Sequence, residues 1–115
     1  MAKGDLLGEF EQMVLLAVAR LDGEGYGVTL RQEIAGRTGR DVSIGSVYST
    51  LDRLESKALL SSRESEPEPV RGGRARRLFR IESAGMRALE ESRRMMDALW
   101  DGVDFRDDMG EARGS

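Results

Sequence analysis

The sequence predicts a mainly α-helical fold with one small β-hairpin, on three observations. Apolar residues recur at three- and four-residue steps in several separate stretches. Two short strand-like runs, residues 59–63 and 76–81, flank a polar hairpin that contains Pro67, Pro69, Gly72 and Gly73. A short link, Gly39 to Val42, separates the second helical stretch from the third. Two helices joined by a tight link and followed by a basic-tipped hairpin make a winged helix-turn-helix. The expected division is a winged helix-turn-helix over residues 1–82, one C-terminal dimerisation helix over 83–103 and a disordered tail over 104–115.

Taken in order, residues 1–4 are a loose start and Asp5 can cap a first helix over 6–21. Phe10, Met13, Val14, Ala17 and Leu21 form one apolar stripe, which Leu15, Leu16 and Val18 widen beyond the needs of a surface helix. Such a helix has to be covered on more than one side, and a second copy of the chain can cover what the first does not. After the glycine-rich turn Asp22–Gly25, Tyr26, Leu30 and Ile34 mark a second helix over 26–38, with Gly39 as its stop. Ser43 can cap a third helix ending near Lys57. Its spacing puts Ile44, Val47, Leu51 and Leu54 on one face and Ser46, Ser49, Thr50 and Arg53 on the other. That outward face is small and donor-rich, which suits base edges and phosphates. Ser83 can cap a last helix over 84–103. Met86, Leu89, Met96, Leu99, Trp100 and Val103 lie along one side of it near heptad spacing, interrupted by Arg93. Residues 104–115 are polar, acidic and glycine-containing.

Composition narrows the function classes. The chain has 115 residues, enough for one domain, and no cysteine or histidine. Thiol catalysis, thiolate metal sites, the commonest general base and the commonest transition-metal ligand are therefore excluded. The pairs Glu90–Glu91 and Asp107–Asp108 sit in no stretch that reads as a buried pocket, and the glycines of GEGYGV lack the strand and lysine of a phosphate loop. An enzyme, a cofactor and a bound metal are not expected. No apolar run is long enough to span a bilayer, and the N-terminus has no signal-peptide pattern, so a cytoplasmic location and no membrane partner are expected. The net charge of −3 argues against nucleic acid, but its distribution does not. Arg71, Arg74, Arg76, Arg77 and Arg80 cluster without an acid, while residues 101–111 are acidic on balance.

Three stretches in order, GYGVTLRQEI, GSVYSTLDRLESKALL and GGRARRLFRIESAGMRALEE, resemble the PadR family, the phenolic-acid-decarboxylase regulators. The resemblance covers roughly residues 6–100 and is to the short-tailed branch with a single C-terminal helix. It implies a bacterial transcriptional regulator, usually a repressor, that binds double-stranded operator DNA as a homodimer. The chain departs from the family pattern at Ser49, where proline is frequent, and at Ala58, where glycine is common. It also departs at Leu78, where an aromatic usually precedes that of Phe79, and at Glu82, where a threonine usually caps the last helix.

The candidate DNA-binding residues are Ser43, Ser46, Tyr48, Ser49 and Arg53 on the third helix and Arg71, Arg74 and Arg76 on the wing. For Tyr48 the resemblance implies a DNA contact; the alternative is a half-buried aromatic beside Val47. The serines serve equally as caps or solvated hydroxyls, Arg53 can pair with Asp52 or Glu55, and the wing arginines can be a solvated charge run. Arg31, Arg37 and Arg40 are further candidates for phosphate. Glu64, Glu66 and Glu68 are expected to point away from DNA. The expected dimer interface comprises Phe10, Val14, Leu89, Met96, Leu99, Trp100 and Val103. Met96 and Trp100, meeting their own copies, could also form a slot for a small aromatic effector. The competing reading is a winged helix that binds protein and never touches DNA.

Overall fold

A computed structural model describes residues 6–67, 72–73, 75–103, 105–106 and 112–113. Helix α1 spans Glu9–Leu21, so it starts at Glu9 rather than at residue 6. Gly8 is its N-cap, and the Gly8 N–H donates to the Glu11 carboxylate at 2.9 Å. The first turn therefore closes on an acid three residues into the helix, and Leu6 and Leu7 precede it; Asp5 lies outside the described residues. Asp22 ends α1 in the left-handed region, at φ 51. Helix α2, Gly27–Thr38, begins where the Tyr26 N–H donates to Thr29 Oγ1 at 3.0 Å, and ends at Gly39 with φ 74, the predicted stop.

Helix α3, Ile44–Ser56, is capped as predicted, with Ser43 Oγ accepting the Ser46 N–H at 3.1 Å. Its other end closes through two bonds: Leu59 N–H to the Leu54 carbonyl at 3.1 Å and Ala58 N–H to the Glu55 carbonyl at 2.9 Å. This pair defines a Schellman end, which needs a left-handed residue at position 58. Ala58 supplies it at φ 62, a conformation that favours glycine.

Strands β1, Leu60–Glu64, and β2, Arg77–Ile81, pair antiparallel in the register Leu60–Ile81 to Glu64–Arg77. Gly25, before α2, adds a rung when its carbonyl accepts the Phe79 N–H at 2.9 Å. Helix α4, Ser83–Trp100, starts one residue earlier than expected. Glu82 is its N-cap but does not cap with its side chain, which instead accepts a hydrogen bond from Ser61 Oγ at 2.6 Å. Ser83 is thus the first helical residue, not the cap. Val103 lies beyond the helix. Of the segment expected to be disordered, Phe105–Arg106 (β3) pairs antiparallel with Ala112–Arg113 (β4).

The core joins α1, α2, α3 and the hairpin. Val14, Leu15, Val18, Leu30, Val47, Leu51, Leu54 and Phe79 have no exposed surface, and burying each such side chain contributes about 1.5–3 kcal/mol. Helix α4 reaches this core at Gly85, where a Cβ would overlap the Leu59 carbonyl, so helix and chain pack backbone against backbone. Two expectations change here. Val14 is at 0% exposure inside the chain's own core, so it has no surface to offer a second copy. Leu89 is likewise buried at 7%.

Candidate nucleic-acid interface

The link between α2 and α3 sets the angle of the helix-turn-helix, and Arg31 holds it. Its Nε donates to the Val42 carbonyl at 2.6 Å and its Nη2 to Asp41 at 3.0 Å. Arg31 was a candidate for DNA phosphate; here it clamps the turn. The other two candidates of this region are also paired. Arg37 and Arg20 share Glu33 at 2.6 and 2.7 Å, and Arg40 meets Glu9 at 3.3 Å. Hydrogen bonds from Arg37 first and Arg20 second hold the Glu33 carboxyl below its ordinary value.

Helix α3 turns Ser43, Ser46, Tyr48 and Ser49 outward, all exposed. Two neighbours depart from the faces that spacing assigned to them. Ile44, expected in the core, is 39% exposed at the first position of the helix. Thr50, expected outward, is 2% exposed; its side chain lies near Arg53, whose Nη2 reaches Thr50 Oγ1 at 3.4 Å. The Tyr48 ring lies so close over Gly27 that a Cβ there would overlap it. One side of the Tyr48 ring therefore packs on the start of α2, and the rest is exposed.

Arg53 does not pair with Asp52 or Glu55. Its Nε donates to Glu11 at 3.1 Å, and Lys57 Nζ joins it on the same carboxylate oxygen at 3.3 Å. Glu11 is only 9% exposed. Burial pushes its carboxyl up, but the Gly8 N–H, Arg53 and Lys57 together outweigh burial and hold it below its ordinary value. The sequence reading passed over Glu11. The signal was present: Glu11 lies three and seven residues before Val14 and Val18 on the buried face, and Arg53 and Lys57 are one turn apart on α3. Asp52 and Glu55 instead hold Arg77, Asp52 at 2.9 Å, while the Arg77 guanidinium lies 4.9 Å from the Phe79 ring centre. Part of the arginine cluster is thus neutralised at the root of the wing.

Of the candidate wing residues, Arg76 is described; Arg71 and Arg74 lie outside the described residues, as does Glu68. Arg76 is exposed, with its guanidinium 4.5 Å from the Tyr26 ring centre. This contact ties the wing to the start of α2, beside Tyr48. Glu64 and Glu66 are exposed.

Met96, Leu99, Trp100 and Val103 are exposed at the end of α4 and just past it, and Phe10 is half-buried on α1. A groove of about 720 Å³ opens among Leu7, Lys57, Leu59, Ala84, Arg87, Ala88 and Glu91, and neither Met96 nor Trp100 lines it. Among the described residues, no group of acids could hold a metal ion, and no helix is long and apolar enough to cross a membrane.

The family model of the transcriptional regulator PadR-like family matches residues 15–91, more than half of the chain. The chain belongs to this PadR-like family. The transcriptional regulator Rv3488 of Mycobacterium tuberculosis is similar to it, 45% identical over 78 residues, which are 68% of each chain. A PadR family transcriptional regulator from Eggerthella lenta has a similar structure, with a TM-score of 0.66, 29% identity, and 83% of this chain and 82% of that one covered. A PadR family regulator from Clostridium difficile shares the fold at a TM-score of 0.66 and 24% identity, over 82% of this chain and 96% of that one. The PadR-like fold is the predicted one: three helices, a two-stranded wing and a C-terminal helix. The chain is thus a transcriptional regulator rather than an enzyme.

Proposed function

We propose that this PadR-like regulator binds operator DNA as a homodimer in the cytoplasm and represses transcription. The observation that carries the reading is the outward face of α3. Ser43, Ser46, Tyr48 and Ser49 are exposed on a helix whose Val47, Leu51 and Leu54 are buried and whose entry angle is clamped by Arg31. In this arrangement the second helix of the motif enters the major groove while the wing lies over adjacent phosphates. Arg76 stands at the wing's root, and Arg71 and Arg74 precede it in the sequence. The exposed apolar end of α4, with Phe10 of α1, is the surface for the second copy. Two-fold pairing would set the half-sites about 10 base pairs apart or a multiple of that. Trp100, brought near its own copy, either fills the interface or leaves a slot for a planar aromatic effector; saturable quenching of its emission with release of DNA would select the slot.

Selection of duplexes from genomic fragments with the purified chain tests the reading. Arg76→Ala should then weaken binding to the selected duplex and make its salt dependence shallower by about one unit for a lost phosphate contact. Failure to enrich any duplex at low salt would favour the protein-binding alternative.

A further inference from the structure

We propose that Ile44 is a specificity-determining residue that reads the methyl group of a thymine in the major groove. The inference rests on the DNA-binding reading above and assigns one chemical task within it. The residues at the start of the second helix of a helix-turn-helix are those that meet base edges. At that end of α3, two hydroxyl protons are already engaged inside the chain. Ser43 Oγ donates to Ser46 Oγ at 2.8 Å, and Ser49 Oγ donates to the Ser46 carbonyl at 3.2 Å. Ser49 therefore faces the groove as an acceptor, and the Ser43–Ser46 pair, which shares one hydroxyl bond, keeps one proton between them to offer a base.

Ile44 is the odd residue in this turn. Helical spacing groups it with Val47, Leu51 and Leu54, which have no exposed surface, yet it keeps 39% of its own. A β-branched side chain in a helix is held near one χ1 rotamer, so it is a firm apolar knob rather than a mobile one. Next to it, Gly45 would meet no atom within 4 Å on its Cβ side, so the approach beside Ile44 is open. The major-groove edge of a base pair carries one exposed apolar group, the C5-methyl of thymine. A rigid apolar side chain among small neighbours at the reading end of α3 matches that group in chemistry and in access.

Uracil lacks only this methyl group, which makes the test atom-specific. A duplex selected by the full chain is resynthesised with its thymines replaced by uracil one position at a time, and affinities are measured for wild type, Ile44→Ala and Ile44→Val. Wild type should lose about fourfold at one thymine per half-site, the weight of one methyl group moved out of water. Ile44→Ala should bind the all-thymine duplex about as weakly as wild type binds that uracil duplex, and should not distinguish the two. Ile44→Val, which keeps a branched side chain, should retain most of the discrimination and guards against a general loss of structure in the alanine variant. Wild type indifferent to uracil at every position, or an unchanged thymine preference in Ile44→Ala, overturns the assignment. If no duplex is selected at all, the DNA-binding reading itself falls, a result distinct from either of these.

Discussion

Helices α3 and α4 are both amphipathic, and the chain treats their apolar faces in opposite ways. Val47, Leu51 and Leu54 of α3 are sealed by α1, α2 and the wing. Of the apolar row along α4 and just past it, Leu89 is buried, whereas Leu99 is 73% exposed and Trp100 53%. The difference separates two kinds of stability. The body around α3 is completed by one chain and should hold at any concentration. The end of α4 exposes the apolar surface that a second copy would cover, so its order should follow protomer concentration.

The strongest way to break this contrast is Leu99→Asp. It would place one charge from each copy in an apolar two-fold interface, at about 4 kcal/mol per dimer. Sedimentation at micromolar concentration should show monomer for the variant and dimer for wild type, while the helical content of the body persists. A wild-type monomer under the same conditions removes α4 from the interface. Leu51→Ala should act on the other side, lowering unfolding free energy by about 3 kcal/mol through the cavity it leaves. Denaturant titration at two protein concentrations should give the same loss in each; a loss that depends on concentration would mean that the body is not self-sufficient.

A smaller effect is expected at Glu11, where α1 meets α3. Glu11→Ala removes a nearly buried acceptor from Gly8, Arg53 and Lys57 and should cost about 2 kcal/mol at neutral pH. The folded carboxyl titrates below its ordinary value of 4.5. Its contribution is therefore complete above that pH and is lost as pH falls through the lower folded value. Unfolding curves of wild type and variant should stay apart down to about pH 5 and converge in stronger acid; a gap unchanged by acid would show that Glu11 acts without its charge. The smallest effect has the opposite sign. Ala58→Gly should stabilise by about 1 kcal/mol, since glycine adopts the left-handed end of α3 without strain, net of the freedom it adds to the unfolded chain. Calorimetry should show a melting temperature higher by a few degrees, and a lower one would refute the strain.

The elements of the fold were legible where a local signal decides the outcome. Ser43 and Gly39 set their helix ends because a cap bond and a left-handed residue are chosen within one turn. Helix α1 began later than read because Glu11, a residue inside the helix, competes for the start through Gly8. The burial of Thr50 and the exposure of Ile44 were not legible from spacing. Each lies at the border of the apolar face, where neighbours distant in sequence decide which way the border runs. The site was readable as a list of exposed residues on α3 but not as a set of pairings. Helical proximity joined Arg53 to Asp52 or Glu55, whereas tertiary contacts gave Arg53 to Glu11 and handed both acids to Arg77.

The base of the wing has a consequence for how such regulators can diverge. The hairpin closes on a reciprocal pair: the Ser65 N–H donates to the Arg76 carbonyl at 2.7 Å, and the Arg76 N–H donates to Ser65 Oγ at 2.9 Å. Arg77, Leu78 and Phe79, on which the body depends, lie on the near side of that latch. The stretch between residues 66 and 75 is therefore a cassette. Doubling its length adds only about 0.6 kcal/mol of closure entropy, so a tip from a relative can be transplanted without recutting the core. On the DNA-binding reading proposed above, a lineage would alter its hold on the DNA backbone by trading this stretch, while the residues proposed to read bases change on their own schedule.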